Sequence, residues 1–176
     1  MNSLVDWFLA WWLRRGRYGW SRLRRRLFEG RYLATALPAV SSLAEIQACL
    51  HQVTWTRDGP LHLFDSISYP QTTWVKKRDD CDGFASLAAA LLARYDPARQ
   101  PVLVTAMVRP VSLSHTVCAF RTAPDSLRFF DNDALRPENC RSYAEVVALI
   151  SQPASRLVCW DVRDAATLEM IDFRRV

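Results

Sequence analysis

The sequence lacks a Cys-x-x-Cys pair, an internal repeat, a low-complexity tract and any apolar run long enough to cross a bilayer. Its five cysteines, Cys49, Cys81, Cys118, Cys140 and Cys159, are odd in number and irregularly spaced. That excludes a regular disulfide framework and predicts free thiols in a reducing compartment. The opening MNSLVDWFLAWWLRRGR puts its arginines after the apolar run, the reverse of a secretory leader. Asp6 interrupts that run, which falls far short of the roughly 20 residues a membrane helix needs. The expected location is therefore the cytoplasm, with a peripheral position at a membrane surface as the one extension of that reading. Zinc-like ligand spacing and the Asp-x-Asp-x-Asp-Gly loop of a calcium hand are absent too, and no metal or cofactor is expected.

What is present is enough chain for one buried core. The 176 residues are half apolar, which predicts a single globular domain with a short appendage. Positions 1–31 hold eight arginines against Asp6 and Glu29, a net +6, so the remainder of the chain sums to −1. The predicted division is thus a basic, Trp/Arg-rich helical extension over 1–31 and a domain over 32–176. Leu4, Trp7, Phe8 and Trp11 fall at helical spacing, and the segment reads as one helix or two divided around Gly16 and Gly19. Two readings stand: the aromatics pack on the chain's own core beside solvated arginines, or the segment contacts a membrane surface, nucleic acid or another protein.

Ser42-Leu43-Ala44-Glu45 has the form of a capping box and predicts a helix to about Gln52. His51 to Lys77 reads as irregular, with Asp58-Gly59-Pro60 as a turn and Tyr69-Pro70 as an extended dipeptide. A second apolar helix begins at RDDCDGFASLAAALLARY and ends at Asp96-Pro97. Short strands follow at Val102–Val108, His115–Arg121, Leu127–Asp131 and Leu157–Val162, with a helix near Tyr143–Ile150 and a last strand at Leu168–Phe173. Helices first and an antiparallel sheet afterwards make an α+β domain.

Three stretches carry chemistry: Cys81 at a helix start, His115 in SHTVCAF and Asp131 in LRFFDND. A cysteine nucleophile needs a base within reach and a third group that fixes the imidazole's tautomer, and each role has a candidate here. Because strand side chains alternate, His115 and Asp131 share a face only if paired positions sum to an even number. Asp133 meets the same condition and is the reserve orienter, whereas Asn132 serves only in the other register. Gln71 and Trp74 precede the nucleophile and are candidates for the cleft wall or an oxyanion donor. Cys49, Cys118, Cys140 and Cys159 read as small core residues, and His51 and His62 as a helix-end and a loop histidine.

DDCDGFA, SHTVCAF and FFDND, in that order, resemble the transglutaminase-like superfamily of papain-type folds, and more closely its bacterial cysteine peptidase branch. Members place the cysteine in a pattern like Gly-Asp-Cys-Glu-Asp-Tyr-Ala at a helix start, then His in one strand and Asp in the next. The segment SYPQTTWVKKR is similar to the approach to the nucleophile in that branch. The resemblance covers roughly 66–133 and implies a papain-like core in which the nucleophile's helix packs on an antiparallel sheet. By position it makes Cys81 the nucleophile, His115 the general base and Asp131 the orienting carboxylate. Where members often have glycine two residues before the cysteine, this chain has Asp79, and Asp79, Asp80 and Asp82 together oppose a thiolate if they crowd it. The expected function is a thiol-dependent acyl-transfer enzyme, an amide or peptide hydrolase or a transglutaminase-type transferase acting on a protein or peptide. The alternative is a non-catalytic interaction or scaffold protein that keeps the papain-like core and uses its basic helix as the contact.

Overall fold

The computed structural model describes residues 3–56 and 66–176, so His62 and the Asp58-Gly59-Pro60 turn lie outside the described residues. The fold is α+β. Six antiparallel strands form the sheet: β3 (Val102–Arg109), β4 (His115–Ala123), β5 (Ser126–Asp131), β6 (Ala134–Leu135), β7 (Arg156–Asp164) and β8 (Met170–Arg175), in the order β6-β5-β4-β3-β7-β8. Alternation along the central strands sorts the core into two layers. Leu103, Met107, Cys118, Phe120 and Phe130 face a helical layer that includes α3 (Leu43–Leu50) and α5 (Cys81–Tyr95). Val104, Ala106, Val117, Ala119 and Phe129 face α6 (Tyr143–Ile150) on the opposite side.

Helix starts follow their caps. Ser42 accepts from the Glu45 amide, but the Glu45 carboxylate reaches back to Ser41 rather than to Ser42, so the box closes one residue early. The stretch expected to be irregular holds a helix, α4 (Pro70–Lys76), because a proline at the first helical position needs no amide partner. Tyr69 is extended before it, and Lys77, at φ 52°, ends it in the left-handed region. A two-residue parallel pair, β1 (Thr54–Trp55) with β2 (Arg78–Asp79), leads into α5. The last strand begins at Met170, two residues later than expected, since buried Leu168 sits at φ 60° in the preceding turn.

Residues 4–32 form one unbroken helical run rather than a pair split at the glycines. It consists of α1 (Leu4–Trp11), a π segment (Trp12–Gly16), α2 (Arg17–Arg24), a second π segment (Arg25–Glu29) and a 3-10 turn (Gly30–Tyr32). Six of its buried positions step by four: Leu9, Leu13, Arg17, Ser21, Arg25 and Glu29. In a regular helix of 3.6 residues per turn a four-residue step overshoots by about 40°, and such a ridge would wind off the core. The wider π turns absorb the drift and keep the ridge inward. Gly16 is required in the first of them, because a Cβ there would lie 2.3 Å from the Trp12 ring.

The inward ridge corrects the reading of solvated arginines for Arg17 and Arg25, while Arg14, Arg15, Arg22 and Arg26 are exposed. Arg17 is ion-paired with Asp82 in the first turn of α5 and reaches Thr105 and Thr116 on the sheet. Arg25 donates to the carbonyls of Ile67 and Ser68, and burial pushes its pKa down to about 10, which still leaves it charged at neutral pH. Near the sulfur-bearing turn, Gly83 makes room for a neighbour as well: a Cβ on it would fall 2.1 Å from the Asp79 carboxyl carbon.

Two stability measurements test this packing. Arg17→Ala removes the guanidinium from a buried carboxylate and should cost about 3–5 kcal/mol in urea unfolding, whereas the apolar pair Arg17→Met with Asp82→Leu should recover most of it; equal losses in both would show that the ion pair is not the tie. Gly83→Ala should cost about 1–3 kcal/mol from overpacking, and the loss should shrink in an Asp79→Ala background. An unchanged penalty in that background would place the clash elsewhere.

Candidate active site

Cys81 is the first residue of α5, held there by Asp80, whose side chain accepts from the Asp82 amide as the N-cap. Behind it the helix buries Phe84, Leu87, Ala88, Leu91 and Leu92, which fixes the sulfur's position against the sheet. Cys81 is the partly exposed cysteine, and Cys49, Cys118, Cys140 and Cys159 are all buried. Burial pushes the thiols of these four up, Cys159 to about 12.

The strand register meets the parity condition. Cys118 lies opposite Phe130, Ala119 opposite Phe129, Phe120 opposite Arg128 and Arg121 opposite Leu127, before a bulge leads to Ala123 opposite Ser126. The four regular pairs have even sums, so His115 and Asp131 share a face on diagonal positions. His115 Nε2 lies 2.7 Å from Asp131 Oδ1. That hydrogen bond, opposed by burial and helped by Arg136, holds the Asp131 carboxyl below the usual carboxylate range. With Nε2 engaged, Nδ1 is the ring nitrogen left to exchange a proton.

Cys81, His115 and Asp131 line one cavity of about 800 Å³, which Trp12, Arg17 and Trp55 also wall. Asn132 lines it too, from a left-handed turn at φ 51°, with its Oδ1 buried and without a hydrogen-bond partner among the described residues. The other expected residues stand elsewhere. Asp133 is 3.7 Å from His51 at the end of α3, so it does not orient His115. Gln71 lines a separate cavity, and Trp74 packs against the helical core beneath Lys77. Neither is among the described residues that line the Cys81 cavity.

The three aspartates are buried. Asp79 accepts from Thr73 Oγ1 at 2.6 Å and from the Asp80 amide at 3.1 Å. Asp82 carries the Arg17 ion pair, and its other oxygen lies 3.9 Å from Cys81 Sγ. An uncompensated carboxylate at that range would oppose a thiolate by on the order of 4 kcal/mol. The guanidinium in contact with the same carboxylate is of opposite charge and acts against that effect. Arg17 is thus a site residue that motif reading missed, and its one sequence signal is the four-residue step from Leu9 and Leu13. Asp80, Cys81 and Asp82 offer ligand atoms within 4.8 Å of one another and are the group among the described residues that could hold a cation.

Comparison with known proteins found no matching family model and no matching curated protein. Among solved structures, calcium-bound LapG of Legionella pneumophila aligns with TM-score 0.46 and 19% identity, over 66% of this chain and 61% of that one. The EGTA-treated form of the same protein aligns with TM-score 0.47 and 20% identity, over 73% of this chain and 68% of that one. The chain therefore spans less than two thirds of the length of the calcium-bound LapG chain.

Proposed function

We propose that this chain is a thiol-dependent acyl-transfer enzyme of the transglutaminase-like cysteine peptidase type, with Cys81 as nucleophile, His115 as general base and Asp131 as its orienter. The observation that carries this reading is the 2.7 Å His115–Asp131 hydrogen bond in the same cavity wall as the one partly exposed thiol at a helix start. In the reaction, the Cys81 sulfur attacks the carbonyl carbon of an amide while His115 Nδ1 takes the thiol proton. Asp131 holds the imidazole so that Nδ1 faces the sulfur and stabilises the imidazolium. The tetrahedral oxyanion is met by the Cys81 amide and the positive end of α5. Collapse breaks the C–N bond, and His115 returns its proton to the departing amine. Water, activated by the same imidazole, then cleaves the thioester and regenerates the thiol. An amine in place of water gives transfer, and hydrolysis of a protein or peptide amide is the more general outcome.

Arg17 acts beside this chemistry by compensating Asp82, which would otherwise oppose the thiolate. The scaffold alternative predicts a thiol without special reactivity, and labelling separates the two. With iodoacetamide at neutral pH, Cys81 should be alkylated ahead of the four buried cysteines, and His115→Ala should slow that reaction on the order of 10²–10⁴-fold. Alkylation of Cys81 at the rate of an ordinary exposed thiol, unchanged in His115→Ala, would sink the enzyme reading.

Acid titration tests the orienter. Asp131 is held below its unfolded value, so its contribution to stability is present above about pH 4 and is lost as pH falls through the depressed folded value. Asp131→Asn should be less stable than the parent near neutrality and should lose less stability between pH 5 and pH 2, at about those limits. Parallel acid-unfolding curves for the two proteins would show that the hydrogen bond contributes nothing.

A further inference from the structure

The two acids in the first 31 positions, Asp6 and Glu29, are each 3% exposed and turned inward. Asp6 pairs with Arg156 and Arg109 on the sheet. Glu29 accepts from the Tyr69 amide and the Thr72 hydroxyl. The outward side of the helical run is left without a negative charge.

What that side carries is ordered. Two residues out of phase with the buried ridge runs an exposed one: Trp7, Trp11, Arg15, Gly19, Leu23 and Leu27. One flank adds Leu4, Phe8, Trp20 and Phe28, and the other adds Arg14, Arg22 and Arg26, all exposed. Single exposed apolar residues are ordinary, but this set is contiguous along one helix and includes Trp7 at 57%, Leu27 at 63% and Phe28 at 65% exposure. The π turns produce this face as well, since the drift they cancel on the inside is cancelled on the outside.

The geometry points to an anionic phospholipid surface as the partner of this face, with the helical run lying in the plane of the interface. Phosphate headgroups take the arginine flank while the leucines and aromatics enter the acyl boundary, and tryptophan is suited to that boundary because its ring is apolar and its N–H polar. A nucleic-acid backbone would use the arginines and gain nothing from Leu4, Leu23 and Leu27. An apolar protein groove would use the leucines and leave the arginines unpaired. Spanning is excluded for this run, whose other face is buried in the domain, and no described helix is long and apolar enough to cross a membrane. Trp12 and Arg17, on the same run, wall the Cys81 cavity, so lipid contact would hold that cavity close to the membrane plane. The inference rests on the helix alone and not on the reactivity of Cys81.

Co-sedimentation of the full chain with phosphatidylcholine vesicles, with and without phosphatidylglycerol, tests it. The protein should pellet with the anionic vesicles, stay in solution with phosphatidylcholine alone, and release at high salt. The double variants Arg15→Glu/Arg26→Glu and Leu23→Ser/Leu27→Ser should each lower the bound-to-free ratio about tenfold or more, with thermal unfolding unchanged because all four side chains are exposed. Failure to pellet with anionic vesicles overturns the assignment, as does undiminished binding in either double variant. Binding to duplex DNA that the arginine variant abolishes and the leucine variant spares, without vesicle binding, would reassign the face to nucleic acid.

Discussion

The buried contact between Arg17 and Asp82 is the interaction on which the arrangement depends, because it joins the amino-terminal helical run to the first turn of the helix that carries the sulfur. A buried ion pair is a poor source of net stability, since desolvation cancels much of the attraction, but it is costly to break from one side. It therefore specifies position more than it stabilises. Arg17 also reaches Thr105 and Thr116 on β3 and β4, so one guanidinium relates the helical run, α5 and the sheet. The π segments follow from this demand: without them the ridge from Leu9 to Glu29 could not stay inward long enough to deliver both Arg17 and Arg25.

The same pair settles the electrostatics at the helix start. Three aspartates beside a thiol look self-defeating while only local sequence is considered. In the fold each has a partner suited to it: Thr73 for Asp79, the Asp82 amide for Asp80, and Arg17 for Asp82. Gly83 takes part by leaving room for the Asp79 carboxyl. The cavity wall then holds a sulfur, an imidazole with one nitrogen engaged, and a carboxylate kept ionised by that engagement.

Strand alternation, helix caps and the order of Cys81, His115 and Asp131 were legible because each is written in residues close together along the chain. The hairpin parity belongs with them: it needs a strand period of two and a count of residues, and the observed pairs follow it. Local signals misled where two of them competed. Tyr69-Pro70 signals extended backbone, which Tyr69 adopts, while Pro70 also opens α4, the helix that holds Gln71 and Trp74. Asp133 satisfied parity as well as Asp131 did, but it falls in the turn between β5 and β6, 3.7 Å from His51.

By itself, then, the sequence determined an α+β chain, the helix that begins at Cys81, and a strand pair able to bring His115 and Asp131 to one face, since these follow from periods and caps that act within a few residues. Tertiary structure decided the rest. Arg17 and Asp82 are separated by 64 intervening positions, and no local pattern marks a guanidinium for burial against a carboxylate so distant. The choice between a solvated arginine and a buried one is made by the packing of the whole helical run, because only a contact formed after the chain has folded back can offset the cost of removing that charge from water.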